Sequence, residues 1–169
     1  GVYFSDYKSL EEAMNPITGV EIDLVVRDSL VALALYERIF EVERIEVSNF
    51  PKGTNEAVFS IYGARIHLLD ENPDYGLTAP QPGQPLPSWL NVLVPDIKAA
   101  WDAAIEAGCN QIQPVTEMAQ MGVSNAVFSD PDGHVWMLHQ IHRVVSHAER
   151  VRILEKEFGP ADTQAEAEE

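Results

Sequence analysis

The sequence holds one cysteine, Cys109, among 169 residues. A single thiol cannot form a disulfide within the chain, so nothing in the fold is stapled and a reducing compartment suits it. Basic residues are scarce as well. Lys and Arg number 11 against 27 Asp and Glu, for a formal net charge of -16. Such a surface repels phosphate backbones and anionic headgroups, which argues against nucleic acid and membrane surfaces as partners. No apolar run approaches the length that crosses a bilayer. The first residues lack the basic-then-apolar pattern of a secretory leader, and a cytoplasmic protein is the expectation. What is present is ordinary for a globular chain: 46% hydrophobic and 22% charged residues, enough for one domain or two small modules sharing a core.

Periodicity divides the chain. Ser9-Leu10-Glu11-Glu12 has capping-box spacing, so 1–19 is expected to be a helical extension ending near Pro16. The first module covers 20–70. Its opening strand, 20–27, sets Ile22, Leu24 and Val26 on one face and Glu21, Asp23 and Val25 on the other. Asp28-Ser29 caps a helix with Leu30, Leu33, Tyr36 and Phe40 at helical spacing. Strands follow at 42–48, 55–61 and 64–70. Residues 71–87, ENPDYGLTAPQPGQPLP, are too rich in Pro and Gly for regular structure and read as a surface linker.

The pattern then restarts as a second module over 88–141. Residues 89–94 form a strand, Asp96 caps a helix ended by Gly108, and 110–115 form a short strand. SNAVFSDPDGHVWMLHQ, 124–140, is a hairpin whose turn is Asp130-Pro131-Asp132-Gly133. Val144, Val151, Leu154 and Phe158 make the apolar stripe of a C-terminal helix within 142–158, and 159–169 is an acidic, disordered tail. Val26-Arg27-Asp28 matches Val94-Pro95-Asp96 at an offset of 68, and Gly63 matches Gly133 at 70. The fold class expected is therefore α+β. Two βαβββ modules form a curled mixed sheet around a shared cleft, with the helices on the convex face. Ile22, Leu24, Val26, Leu90, Val92, Val94, Trp136 and Leu138 should lie beneath the helices.

Paired βαβββ modules, a strand–Asp–helix opening in each and the closing DPDGHVWMLHQ resemble the vicinal oxygen chelate superfamily, which includes glyoxalases, bleomycin-resistance proteins and extradiol dioxygenases. Leu35-Tyr36 is similar to the family's Phe-Tyr, although Glu41 stands where a glycine is common. The resemblance implies a divalent ion held by four side chains, from the first and last strands of each module. The repeat carries those positions onto Glu21, His67, Trp89 and Met137. Indole offers only a donor and thioether is a soft ligand, so two of the four are unsuited to a hard ion. His139 lies one step along from Met137, which leaves Glu21, His67 and His139 as weak metal candidates. The other reading of both histidines is as hydrogen-bonded residues lining the cleft.

The expected ligand-binding set is Glu21, Asp23, Arg65, His67, Trp89, Asn91, Met137 and His139, with no catalytic residue assigned. The expected function is a glyoxalase/bleomycin-resistance-like protein that binds a small molecule in a cleft, without the family metal or any other cofactor. The alternative is a metal-dependent lyase or isomerase of the glyoxalase type, acting on a substrate with vicinal oxygens. The open edges of two small sheets, together with the resemblance, lead to the expectation of a homodimer.

Overall fold

The structure is a computed structural model that describes residues 17–162. The expected helix at 9–15 and the end of the acidic tail, 163–169, lie outside the described residues.

Each module forms its own four-stranded sheet. β1 (Ile22–Val26), α1 (Ser29–Ile39), β2 (Val42–Val47), β3 (Glu56–Ile61) and β4 (Ala64–Asp70) make the first. β5 (Leu90–Leu93), α2 (Ile97–Glu106), β6 (Asn110–Met118), β7 (Val123–Ser129) and β8 (Val135–Ile141) make the second. The orders are β1-β4-β3-β2 and β5-β8-β7-β6, with the first and last strands of each module parallel. The sheets are separate and do not close on each other within the chain. Among the described residues no helix is long and apolar enough to cross a membrane.

The two offsets are visible in the register. Ile22 pairs with Ile66 and Asp23 with His67, while Leu90 pairs with Trp136 and Asn91 with Met137. The same devices start both helices. Asp28 and Asp96 accept the free N–H groups of the first turns of α1 and α2, removing donors that a helix start leaves unpaired. The last strand of each module then reaches back to the helix start. Asp70 accepts from the Ser29 N–H at 2.7 Å, and Gln140 accepts from the Ile97 N–H at 2.9 Å.

One core joins the modules. Val26, Val94, Trp136 and Leu138 are buried within it, with Leu24, Leu90 and Val92 packed against its edge and Ile22 half-buried. Tyr36 on α1 touches Phe59 of the first sheet (ring centroids 6.1 Å apart) and Trp136 of the second (4.8 Å), and α1 packs on α2. The helices thus serve a core shared by the two sheets, and the opposite face of each sheet lies outside it.

Polar contacts lock this junction. Asp130 is 2% exposed, and its carboxylate accepts four hydrogen bonds: from the Tyr36 hydroxyl at 2.6 Å, the Trp136 indole at 3.0 Å, and the Asp132 and His134 N–H groups at 3.0 Å each. Asp132 accepts from the Arg27 N–H at 2.9 Å, and the Arg27 guanidinium donates to the Pro80 carbonyl at 3.1 Å. The linker is therefore pinned rather than loose. It contains a 3-10 turn at Pro73–Tyr75 and buries Ala79. Gly133 has φ +98°, and a Cβ there would meet the Pro80 Cβ at 3.3 Å, so both backbone angle and packing call for glycine.

Two elements differ from the periodicity. β6 runs on from Val115 to Met118, and it tolerates Pro114 because it is an edge strand, where a missing N–H breaks no ladder; its pairing with β7 is irregular there. α3 (His147–Phe158) starts where Ser146 accepts from the Glu149 N–H, three residues later than the apolar stripe suggests. Of that stripe, Val144, Val151 and Phe158 are exposed, and no residue of α3 is fully buried.

Candidate functional site

The expected ligand-binding residues fall into two groups and a groove. The first group lies on the outer face of the first sheet. The strand pairing of Asp23 with His67 and of His67 with Val58 places one row of side chains there. Glu21 accepts from Arg65 Nε at 2.6 Å and lies 2.9 Å from His67 Nδ1. The other ring nitrogen of His67 is 3.2 Å from Glu56, and Asp23 is 3.6 Å from Nδ1. The hydrogen bond from Arg65 holds the Glu21 carboxyl below its usual range, against a smaller desolvation effect and with help from His67. Glu21, Asp23 and His67 can each turn a ligand atom to within 4.8 Å of the others.

The second group lies on the outer face of the second sheet. Asn91, Met137 and His139 line a cavity of about 430 Å³ with Met118, Met121 and Leu154, within the roughly 300–1,000 Å³ typical of small-molecule sites. His139 Nδ1 and the Asn125 side-chain oxygen are 2.6 Å apart, and Asn125 donates in turn to Met118 Sδ. That second bond fixes the Asn125 amide, so His139 donates through Nδ1 and leaves Nε2 facing no partner among the described residues. α3 and the segment before it supply the far wall through Val144, Arg150 and Leu154.

Trp89 joins neither group. It is 56% exposed beside a groove of about 360 Å³ between the β1 and β5 edges, with Asp23, Leu86 and Trp136. His139 does not meet Glu21 and His67: the donors of the first sheet and the cavity of the second are lined by different residues.

Reading the sequence overlooked Met118, Met121, Arg143 and Arg150 as cavity residues. Met118 sits beyond Val115, where the periodicity ends its strand, and the arginines lie outside both repeats. It also passed over Ser124, whose Oγ lies 2.8 Å from His142 Nε2. That distance suits a nucleophile and its base, but Ser124 is 4% exposed on the core side of β7, so no substrate reaches it.

Residues 18–138 match the family model of the glyoxalase/bleomycin resistance protein/dioxygenase superfamily, and the chain belongs to that superfamily. No curated protein sequence matches it. Among solved structures, the fosfomycin resistance protein FosX from Listeria monocytogenes, complexed with Mn(II) and sulfate, is 20% identical. The match covers 82% of this chain and 99% of that one, with a TM-score of 0.59. TioX from Micromonospora sp. ML1 is 18% identical over 76% of this chain and all of its own, with a TM-score of 0.54. A glyoxalase/bleomycin resistance protein/dioxygenase family enzyme from Burkholderia phytofirmans PsJN is 19% identical, covering 72% and 96%, with a TM-score of 0.56. At these identities the likeness is one of fold.

Proposed function

We propose that this protein binds a small organic molecule in the second-module cavity and does so without a metal ion. The supporting observation is the chemistry at matched positions. Where the first module has Glu21 and His67, the repeat register puts Trp89 and Met137 in the second. All three methionines among the described residues, Met118, Met121 and Met137, line the cavity. Such side chains adapt to an apolar guest and offer nothing to a hard cation.

The competing reading, a metal-dependent lyase or isomerase, has one observation in its favour: the convergence of Glu21, Asp23 and His67. The donor set fits an ion-pair network better than a metal centre. Each ring nitrogen of His67 already faces a carboxylate, Glu21 is bonded to Arg65, and the second module adds no donor to the set. Three half-open ligands from one sheet make a weak site for a divalent ion.

The test uses protein labelled with ¹³C at the methionine methyls and a small-molecule library. Binders should shift the signals of Met118, Met121 and Met137 with the same affinity before and after chelator treatment, and His67→Ala should leave that affinity within about twofold. Binding abolished by a chelator, or by His67→Ala, would overturn the metal-free reading. We also propose a homodimer. Leu93 on β5 and Ile112 and Val115 on β6 expose apolar surface along sheet edges, where a second chain can pair. Light scattering at micromolar concentration should give twice the chain mass; a monomer mass would refute it.

A further inference from the structure

We infer that the ligand of the second-module cavity is an organic anion, an apolar body carrying one carboxylate, sulfonate or similar group. This rests on the cavity being the binding site. The chain has 27 acidic residues against 11 lysines and arginines, yet among the described residues no carboxylate lines this cavity, and the charged side chains that do are Arg143 and Arg150. The contrast with the other sheet is sharp. On its outer face Glu21, Asp23 and Glu56 gather around His67, and Glu43 and Glu46 stand opposite Ser60 and Val58 of the same face.

The arginine rim is built. Arg143 Nη2 donates to the carbonyls of Ala119 at 3.1 Å and Gln120 at 3.0 Å, which fixes one edge of its guanidinium and leaves the other N–H groups to spare. The chain crosses closely here. The Gly122 carbonyl accepts from the N–H groups of both His142 and Arg143, at 2.7 and 3.2 Å. A Cβ on Gly122 would lie 2.5 Å from Arg143 Cγ, so the glycine is what admits Arg143 to this position. Arg150, one turn into α3, has no side-chain partner among the described residues. Two guanidiniums at the rim of an apolar, methionine-walled cavity suit an acid whose body enters and whose charge stays at the mouth, where Arg forks pair with oxyanions through two N–H donors at once. α3 of the same chain contributes Arg150 and Leu154 to the cavity wall.

Anilinonaphthalene sulfonate and its uncharged counterpart phenylnaphthylamine share one aromatic body and differ in the anionic group. Their affinities are to be compared at about 0.15 M salt, where the Debye length of about 8 Å mutes the net charge of the protein. The methionine-methyl spectrum locates each probe. Both should shift the Met118, Met121 and Met137 signals, with the sulfonate binding about tenfold more tightly through charge-assisted hydrogen bonds. Arg143→Gln with Arg150→Gln should bring the two within about threefold by weakening the sulfonate, while Arg150→Lys keeps most of the preference because the charge remains. Equal affinities in the unaltered protein, or a preference that survives the double substitution, would overturn the anion inference and leave the cavity standing. If neither probe shifts the three methionines, the cavity reading itself falls, and this inference with it.

Discussion

The junction between the modules makes a quantitative prediction through Asp130. Its carboxylate is nearly sealed from water, and each oxygen serves two donors: Oδ2 takes the Tyr36 hydroxyl and Trp136 indole, Oδ1 the N–H groups of Asp132 and His134. Tyr36→Phe keeps the ring that packs on Phe59 and Trp136 and removes only the hydroxyl donor. A hydrogen bond to a charged group contributes about 1.5–3 kcal/mol, and the loss of one from a buried carboxylate belongs at the upper part of that range. Asp130→Asn is worse. With its NH2 in the place of Oδ2, the indole N–H faces another donor; turned over, the amide strands two backbone N–H groups instead. Either orientation costs about 2–4 kcal/mol, since each unsatisfied buried donor costs about 1–3.

The assay is urea unfolding followed by far-UV circular dichroism, with the double variant completing a thermodynamic cycle. Because the two residues touch, their coupling should reach about 1–2 kcal/mol, well above the roughly 0.3–0.5 expected of independent sites. The midpoint should fall for both modules together, because the contact bridges them. A Tyr36→Phe loss below about 0.5 kcal/mol, or an additive cycle, would refute the view that this hydrogen bond holds the modules to one another. Burial, reinforced by Asp130, pushes the Tyr36 hydroxyl well above its ordinary pKa, so the phenol stays protonated as a donor through the whole folded range.

Asp70 should govern part of the acid limb. Burial alone would raise its carboxyl, but N–H groups of Ser29, Asn55 and Gly53 outweigh that and hold it below the ordinary value. Its stabilisation is complete above the unfolded-state pKa of about 3.9 and is lost as pH falls through the lower folded value. Asp70→Asn should therefore be less stable at pH 7 and flatten the loss of stability below about pH 4; parallel acid limbs for the two proteins would contradict this. Cys109 is 7% exposed, and burial, with Asp130 nearby, pushes its thiol up to about 12. A disulfide reagent at about pH 8 should label it only at the rate of unfolding, since the thiolate is the reactive form. Rapid labelling of the native protein would show that the thiol is open to solvent.

Local and repeated features were legible in the sequence. The alternation in 134–140 assigned Trp136 and Leu138 to the core and Met137 to the other face, and both core residues are 0% exposed. The matched landmarks gave the repeat, because each module needs the same cap and the same strand register to bury one helix. What alternation cannot convey is what an exposed face meets. The pattern shows that β4 has one apolar and one mixed face, but not that α1 would lean across to the second sheet through Tyr36. For the same reason the sequence marks Asp130 only as a turn residue. Its spacing to Pro131 and Gly133 is that of a turn, and nothing in that spacing reveals a tyrosine 94 residues away donating to it. Periodicity draws an apolar stripe at the C-terminus, yet Val144, Val151 and Phe158 are exposed, the helix begins only at its Ser146 cap, and the place of Leu154 in the cavity wall needs the tertiary structure.

The two modules diverge on one side only. On the core side they share their caps, the backward bond from the last strand to the helix start, and the parallel pairing of first and last strands. On the outer side the first carries Glu21 and His67; at the matched positions the second has Met137 on its outer face and Trp89 at the groove between the β1 and β5 edges. A core-side change leaves a cavity or an unpaired polar group and costs about 2–5 kcal/mol, whereas an exposed strand position usually costs little. Packing therefore ties both halves to one plan inside while leaving the outer faces free to differ. In one module that freedom yields charges that pair among themselves; in the other it yields a methionine-lined hollow with arginines at its rim. The outer face of the second sheet is thus where the chemistry particular to this chain should be sought, and the ion-paired face of the first owes its geometry to its own charges.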